Sequence, residues 1–253
     1  MTTGIRGKVA VVTGGASGIG RATALAFARE GAKVAVVTGR SIGAAEDTVR
    51  QITDVGGEAI FIRCDVSNDA QVEAMVAETV ALFGGIDFAF NNAGVGPDGV
   101  TIPFAPLTEV SEGDWDKVID TNLKGVFLCL KHELRQMRKQ GSGAIVNTSS
   151  TAALQVKPGF GGYCPSKAGI VVLTKMAALE NRELGIRVNV VCPGPTKGTG
   201  MSDRMLSAVE NGPPLEAMGE PDDVARVVIW LCSDDASFVN GNVLAVDGGL
   251  DIA

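Results

Sequence analysis

Short apolar runs alternate along the chain with longer segments that have helical periodicity. The runs are rich in valine and isoleucine and cover residues 9–12, 34–37, 59–62, 86–90, 144–146, 186–191 and 243–246. Strands that are apolar at successive positions are typical of a parallel sheet buried on both faces. The helical pattern covers residues 19–30, 44–55, 69–83, 111–139, 163–183 and 222–233. This alternation predicts a single-domain α/β fold, a Rossmann-type doubly wound parallel β-sheet of about seven strands flanked by helices on both faces.

Two segments depart from the alternation. Residues 95–110 carry three prolines and are predicted to form a long loop, and residues 193–221 are rich in glycine and proline, with a short helical patch at 203–210. Both follow predicted strands, and ligands of open α/β sheets bind beyond the carboxyl ends of the strands. We therefore expect both segments to border the site. We expect one domain over residues 1–253, with a substrate-loop insertion at 194–218.

The net charge and the cysteine and histidine content argue against several classes of binding partner and metal site. The 253 residues carry a net charge of -7 without a basic block, so nucleic acid and anionic membranes are not expected partners. The five cysteines form no CxxC pair and indicate neither a disulfide framework nor a zinc site, which favours the reducing cytoplasm. His132 is the only histidine and is expected to be a packed or solvated helix residue, so no metal site is predicted.

A glycine-rich segment follows the first strand. Gly14, Gly18 and Gly20 lie between this strand and the first predicted helix. Glycines in such a turn allow the backbone to approach a pyrophosphate, and the helix N-terminus offers free N–H groups and the positive end of its dipole. The segment predicts a dinucleotide-binding loop. The alternative is an ordinary tight turn.

This segment and several later ones resemble the short-chain dehydrogenase/reductase family. The matching motifs are TGGASGIG at 13–20, Asp65-Val66, NNAG at 91–94, Asn122 in DTNLKG, YCPSK at 163–167, Pro193-Gly194 and VDGG at 246–249. Ser150 precedes Tyr163 by the family's usual thirteen residues. The resemblance covers nearly the whole chain and implies the family's fold and its redox chemistry.

The resemblance implies a catalytic set of Asn122, Ser150, Tyr163 and Lys167. Tyr163 would be the general acid/base, Ser150 would position the substrate oxygen, and Asn122 would hold a water that links Lys167 to solvent. Lys167 would hold the nicotinamide ribose and, with the oxidised nicotinamide, lower the tyrosine pKa from its usual value of about 10. Lys167 lies four residues after Tyr163 on a predicted helix and so shares its face. Ser149 is the alternative to Ser150, and the spacing favours Ser150.

The resemblance also implies a set of cofactor contacts at the strand ends. These are Gly14, Ser17, Gly18, Ile19, Gly20, Thr38, Gly39, Arg40, Asp65, Val66, Asn91, Ala93, Gly94, Tyr163, Lys167, Pro193, Gly194 and Thr196. Thr196 is favoured over Thr199 as the contact to the nicotinamide amide.

The cofactor is expected to be NADP in preference to NAD. NAD enzymes place an acid at the end of the second strand to hold the ribose hydroxyl. Thr38 occupies that position here, and Arg40 is placed to pair with a 2′-phosphate. Ser17 argues the other way, because many NADP-using relatives carry a basic residue there.

The substrate end is predicted to be mostly apolar. The expected wall residues are Val95, Val100, Phe104, Leu154, Val156, Phe160, Met201, Met205 and Leu206. Such walls suit a hydrophobic alcohol or ketone. Lys157, Lys197 and Arg204 are the alternative, as anchors of an anionic tail. Cys164 and Cys192 are expected to be packing residues near the site, and the resemblance implies a homotetramer.

The sequence therefore predicts an NAD(P)-dependent alcohol dehydrogenase or carbonyl reductase. One alternative is a non-catalytic dinucleotide-binding sensor or scaffold, although such proteins usually lack part of the catalytic set. A second alternative is an epimerase or dehydratase acting on nucleotide sugars. Those chains share YxxxK but usually add a substantial C-terminal substrate domain, which this sequence does not indicate.

Overall fold

Seven parallel strands form one sheet in the part of the chain that the computed structural model describes. That part is residues 4–208 and 218–250, without the side chains at 205–208. The strands are β1 (Val9–Thr13), β2 (Lys33–Thr38), β3 (Ala59–Arg63), β4 (Phe88–Asn91), β5 (Gly143–Thr148), β6 (Ile186–Pro193) and β7 (Val243–Val246). Their order across the sheet is β3-β2-β1-β4-β5-β6-β7. Every predicted apolar run overlaps one of these strands.

Helices connect the strands and cover both faces of the sheet. They are α1 (Gly18–Arg29), α2 (Ile42–Thr53), α3 (Asp69–Phe83), α4 (Glu112–Val118), α5 (Gly125–Gln140), α6 (Tyr163–Asn181), α7 (Gly200–Ala208) and α8 (Pro221–Cys232). The prediction of a doubly wound α/β fold is thus confirmed. None of the helices described is long and apolar enough to span a bilayer.

The predicted helix over residues 111–139 is not continuous. A π-helical turn, Ile119–Lys124, separates α4 from α5. Asn122 lies in this turn with its side chain completely buried. Such turns shift the faces of the flanking helices and are frequent at functional sites.

Each face of the sheet has its own apolar core. Along β1 and β2, Val11 and Ala35 face one core, whereas Val12 and Val36 face the other. Helices α3, α5 and α6 cover the first core, and α1, α2 and α8 cover the second. Because side chains alternate between the faces of a strand, burial of both faces requires apolar residues at successive positions. This explains the runs in the sequence.

The strand order places the site. Strands β2 and β3 lie on one side of β1, and the chain then crosses to β4 on its other side. The connections after β1 and β4 therefore leave the sheet in opposite directions and open a crevice at the carboxyl ends of the strands.

A buried polar network lies inside the first core. The Asn91 side-chain amide donates to Glu133 Oε2 at 2.9 Å and to Asn147 Oδ1 at 3.0 Å, and Asn147 Nδ2 donates to Thr174 Oγ1 at 2.9 Å. Glu133 is fully buried. Its Oε1 and the Asn91 Oδ1 have no hydrogen-bond partner among the described residues. Burial raises the Glu133 pKa to about 7, although the hydrogen bond from Asn91 opposes the rise.

Candidate active site

A cleft of about 1040 Å³ opens at the carboxyl edge of the sheet. It is lined by most of the residues that the sequence assigns to the site: Gly14, Ser17, Gly18, Ile19, Thr38, Gly39, Arg40, Asp65, Val66, Ala93, Gly94, Ser150, Tyr163, Lys167, Pro193, Gly194 and Thr196. Gly20, Asn91 and Asn122 do not line it. The segments after β4 and β6 border the cleft, as the sequence predicts.

The glycine loop brings its backbone to the floor of the cleft. Gly14 and Gly18 have φ angles of 68° and 51°, which only glycine adopts without strain. A Cβ on Gly20 would lie 2.2 Å from the Gly14 carbonyl oxygen, so Gly20 allows α1 to pack against the loop. The N-terminus of α1 opens directly from this loop, at Gly18. Exposed backbone amides at a helix N-terminus form a site for an anionic phosphate.

Thr13 and Asn92 fix the glycine loop to the end of β4. The Thr13 hydroxyl oxygen accepts the Asn92 and Ala93 backbone N–H groups at 2.9 and 3.2 Å. The Asn92 side-chain amide donates to the Thr13 carbonyl at 3.2 Å, and Asn92 lines the cleft. Asn92 is not among the predicted cofactor contacts, although the NNAG motif at 91–94 places it directly after a strand.

Ser150 and Tyr163 meet in the cleft, between its glycine-lined half and the half lined by Phe160 and Met201. Their side chains are hydrogen-bonded to each other, and Tyr163 is 9% exposed. The Ser149 hydroxyl instead donates to the Lys167 carbonyl at 2.7 Å and is buried. The structure therefore brings Ser150, and not Ser149, to the tyrosine hydroxyl.

Lys167 lies beside the tyrosine ring. Its ammonium donates to the Thr148 carbonyl at 2.9 Å and lies 5.6 Å from the centre of the Tyr163 ring. The side chain is almost completely buried, and burial lowers the pKa of Lys167 to about 8. Gly94 lies beside the ammonium, since a Cβ at this position would be 3.5 Å from Lys167 Nζ.

The tyrosine is not activated by the protein groups alone. Burial raises the pKa of Tyr163 and outweighs the hydrogen bond with Ser150, which lowers it. The buried thiols of Cys164 and Cys192 also raise it. Desolvation of the phenolate therefore dominates in the protein by itself, and the lowered pKa expected with Lys167 and the oxidised nicotinamide together stays a prediction.

Asn122 braces the loop that follows β4. Its side-chain amide donates to the Val95 carbonyl at 2.8 Å and to Ser166 Oγ at 3.1 Å, and its Oδ1 accepts the Val95 N–H at 2.8 Å. Both of its amide hydrogens are thereby used within the protein. The side chain connects the π-helical turn to α6 and to the loop, one layer below the cleft.

Asn91 lies below the cleft as well. Its side chain takes part in the buried network with Glu133 and Asn147 and is 2% exposed. The assignment of Asn91 as a cofactor contact is thus not supported for its side chain, which stabilises the sheet. Alternation along β4 directs this residue toward α5, away from the crevice.

Apolar side chains form part of the substrate end. Val95, Phe104, Phe160 and Met201 line the cleft, and the Phe160 ring lies 5.6 Å from Phe104 and 6.1 Å from Tyr163, centre to centre. Val100, Leu154 and Val156 were predicted to be walls but are exposed and do not line the cleft. They lie on loop positions where no periodicity indicates direction. The side chains of Met205 and Leu206 fall outside the described part.

The three basic residues near the substrate end have different surroundings. Lys197 does not line the cleft, and its ammonium pairs with Glu220 at 2.9 Å. Arg204 lines the cleft and pairs with Asp98 at 2.7 Å. Lys157 lines the cleft and is exposed.

Thr196 and Thr199 both line the cleft after β6. The Thr196 hydroxyl donates to the Gly194 carbonyl at 3.0 Å, and the Thr199 hydroxyl donates to the Thr196 carbonyl at 2.9 Å. Thr199 also lies next to the glycine loop, because a Cβ on Gly18 would be 3.0 Å from Thr199 Cγ2. Both hydroxyls therefore lie in the same turn.

Thr38 and Arg40 lie at the end of β2. Both line the cleft, and Arg40 is exposed. Across this end of the cleft, the hydrogen bond from the Ser67 hydroxyl lowers the pKa of Asp65, and the charge of Arg40 contributes to the lowering. A cation is thus available beside the position where an NAD enzyme carries an acid.

The cysteines and the histidine lie within the packed structure. All five cysteines are buried thiols, and burial raises the Cys64 pKa to about 12. His132 is buried and its Nε2 lies 2.8 Å from an Asp69 carboxylate oxygen. Within residues 4–208 and 218–250, no three His, Cys, Asp or Glu side chains are grouped to hold a metal ion.

Comparison with known proteins identifies the family. A family model described as enoyl-(acyl carrier protein) reductase matches residues 14–251. A short chain dehydrogenase/reductase of Aspergillus oryzae is 40% identical over 98% of this chain and 96% of its own length. A 3-oxoacyl-(acyl carrier protein) reductase of Staphylococcus epidermidis is 40% identical over 96% of this chain and 98% of its own length.

A solved structure gives the same result for the fold. A xylitol dehydrogenase with bound NAD⁺ superposes with a TM-score of 0.89 at 34% identity, over 97% of this chain and 99% of the other. The glycine loop, the meeting of Ser150 with Tyr163 and the buried Lys167 agree with these similarities. The chain therefore belongs to the short-chain dehydrogenase/reductase family and is an oxidoreductase with a nicotinamide dinucleotide cofactor.

Proposed function

We propose that the protein is an NADP(H)-dependent carbonyl reductase or alcohol dehydrogenase that acts on a mostly apolar ketone or secondary alcohol. One observation carries the proposal: Ser150, Tyr163 and Lys167 meet where the glycine-lined half of the cleft joins the half lined by Phe160 and Met201. A ketone oxygen at that junction would reach both hydroxyls. The bound nicotinamide supplies or accepts the hydride.

Tyr163 is the general acid/base in this proposal. During reduction it donates a proton to the carbonyl oxygen, and during oxidation it accepts the alcohol proton. Ser150 hydrogen-bonds the same oxygen and positions it. Because burial opposes the phenolate, the tyrosine needs nearby positive charge. Lys167 supplies one such charge, and the oxidised nicotinamide would add another.

Asn122 acts as a positioning residue in this proposal. The resemblance assigns it to a water beside Lys167, but its amide bonds go to Val95 and Ser166. Those bonds hold the loop after β4 and the helix that carries Tyr163 and Lys167. We therefore propose that Asn122 keeps the elements around the site in their positions.

The cleft fits a dinucleotide along its glycine-lined half. Gly14 and Gly18 line the cleft at the start of α1, where backbone N–H groups would bind a pyrophosphate. We propose the strand-end residues for the rest of the cofactor: Thr38, Gly39, Asp65 and Val66 for the adenosine, and Ala93, Gly94, Lys167, Pro193, Gly194 and Thr196 for the nicotinamide riboside. Of the two threonines after β6, we favour Thr196.

Arg40 is expected to select NADP. Its replacement by alanine should lower the affinity for NADPH about ten- to a hundredfold, since a hydrogen-bonded charge pair contributes about 1.5–3 kcal/mol. NADH affinity should change little. Fluorescence titration with each reduced cofactor measures both constants. Arg50→Ala is the matched control, because Arg50 is exposed on α2, pairs with Asp47 and does not line the cleft. An unchanged ratio of the two affinities in Arg40→Ala would assign Arg40 to the solvated surface.

The substrate is proposed to lie between the two long connections. We assign the substrate loop to residues 194–218 of a single domain, of which 209–217 lie outside the described part. Val95, Phe104, Phe160 and Met201 supply apolar surface for the substrate. Polar Gln155 and charged Lys157 at the mouth leave the outer end more hydrophilic.

We propose that the protein is a homotetramer. Phe127 on α5 and Val172, Met176 and Leu179 on α6 are large apolar side chains between 49% and 68% exposed. Apolar faces of this kind are typical of subunit interfaces. Light scattering should therefore give four times the chain mass of 26.0 kDa, whereas a monomeric mass would contradict this assembly. The buried cysteine thiols fit a reducing compartment, and we propose the cytoplasm.

Turnover tests the function as a whole. Cyclic and aromatic ketones, incubated with the protein and NADPH, should be reduced with consumption of the cofactor. Tight NADPH binding without reduction of any ketone on a broad panel would favour the sensor alternative.

A further inference from the structure

A buried aspartate holds the loop that follows β4. Asp98 Oδ1 accepts the backbone N–H groups of Val100, Thr101 and Ile102 at 3.0, 2.6 and 3.2 Å. The side chain is 3% exposed. Burial by itself would raise its pKa, but these bonds and the pair with Arg204 hold that pKa well below the usual range. The carboxylate is therefore ionised and requires a partner for its second oxygen.

That partner comes from α7, 106 residues further along the chain. Arg204 Nε donates to Asp98 Oδ2 at 2.7 Å. The Arg204 side chain is 47% exposed, whereas the Asp98 side chain is buried. The pair therefore lies at the rim of the cleft, with the aspartate inside the protein. Removing Arg204 would leave a buried charge without its cationic partner.

The same face of α7 reaches the tyrosine. Met201 lies three residues before Arg204, and residues at this spacing share a helix face. Met201 packs against the cluster that contains Tyr163, Ile102 and Cys164. A Cβ on Gly96 would lie 3.1 Å from Met201 Sδ and 2.7 Å from Tyr163 Cδ2. Because Gly96 has no side chain, Met201 and the Tyr163 ring can both pack directly against the loop after β4.

We propose that the Asp98–Arg204 pair determines substrate specificity by docking α7 on the loop after β4, which fixes Met201 as the wall beside Tyr163. This inference rests on the proposed function. With the pair intact, α7 limits the space at the substrate end of the cleft, so compact apolar ketones are favoured over bulkier ones. Without it, Met201 is no longer held, and bulkier ketones gain access. Arg204 acts through α7 and is a positioning residue.

The kinetic test uses Arg204→Met, which removes the charge and leaves the three backbone bonds of Asp98 in place. We expect KM for a compact cyclic ketone to rise about tenfold, and kcat/KM for a bulky aromatic ketone to rise relative to it. The Kd of NADPH should not change. Arg204→Lys should recover part of the loss, because it restores the positive charge. Arg226→Met is the matched control, since Arg226 also pairs with an aspartate, Asp223, but does not line the cleft.

A second variant tests the coupling. Asp98→Asn removes the charge but retains an oxygen for the loop amides. If the two residues act only as a pair, the double variant Asp98→Asn/Arg204→Met should raise KM no more than Asp98→Asn alone. Additive effects, or an unchanged preference between compact and bulky ketones in every variant, would overturn the proposal.

Hydrogen exchange separates this inference from the proposed function. The α7 amides should exchange faster in Arg204→Met than in Arg226→Met, and equal rates would overturn the docking role. A wild-type protein that reduces no ketone would refute the proposed function, and the exchange rates would still decide whether the pair holds α7.

Discussion

Replacement of Tyr163 by phenylalanine is expected to lower kcat about a thousandfold and to leave NADPH affinity nearly unchanged. The loss follows from the removal of the only proposed proton donor at the substrate oxygen, and general acid–base catalysis contributes about a hundred- to ten-thousandfold. The ring remains, so packing against Phe160 and Gly96 is retained. Steady-state kinetics with a ketone and NADPH, together with a binding titration, measure the two effects separately.

The neighbouring residue supplies a control for Tyr163→Phe. Cys164 follows Tyr163 on α6, is buried in the same apolar cluster and does not line the cleft. Cys164→Ala should therefore keep kcat within a few-fold of the wild-type value. A Tyr163→Phe protein with near-normal kcat would refute the assignment of the general acid/base.

Replacement of Glu133 by glutamine is expected to stabilise the folded protein above neutral pH by about 4 kcal/mol. The pKa of Glu133 is raised to about 7 in the folded protein, against about 4.3 for a glutamate in an unfolded chain. The folded state thus binds the proton more tightly. The stability that protonated Glu133 contributes to the wild-type protein is fully present below about pH 4. It is lost as the pH rises to about 7, because the buried carboxyl group must then ionise away from solvent.

Glutamine removes this penalty because it does not ionise. Its amide also adds a donor to a network in which Asn91 Oδ1 has no donor among the described residues. Denaturant unfolding at one protein concentration, between pH 5 and pH 8, should show a difference from wild type that grows with pH. Glu78→Gln, at an exposed position of α3, is the control and should show no such growth. A pH dependence in Glu133→Gln equal to that of wild type would contradict the buried-acid explanation.

The sequence predicts best those elements whose conformation depends on residues close together in the chain. Strands such as 9–12 and 186–191 are visible because burial on both faces requires an unbroken apolar run. The glycine loop is visible because its turn needs positive φ at Gly14 and Gly18. Ser150, Tyr163 and Lys167 lie in two short segments whose spacing indicates their meeting, and the structure brings them together.

The features that the sequence does not reveal depend on distant partners. The π-helical turn in 119–124 carries no proline or glycine break before Gly125, and Asn122 bonds to Val95, 27 residues earlier. The resemblance assigns Asn91 to the cofactor, whereas its side-chain amide donates to Glu133 on α5. Asp98 and Arg204 are far apart in the chain, and only the fold joins them. The tyrosine pKa depends on burial, which no spacing measures.

Isotope transfer from NADPH that carries deuterium at its transferable position tests hydride transfer most directly. A ketone reduced by the protein should gain one deuterium at the carbinol carbon, detected by mass spectrometry of the alcohol. An alcohol without deuterium, or a converted substrate with all of the reduced cofactor retained, would contradict hydride transfer in this cleft.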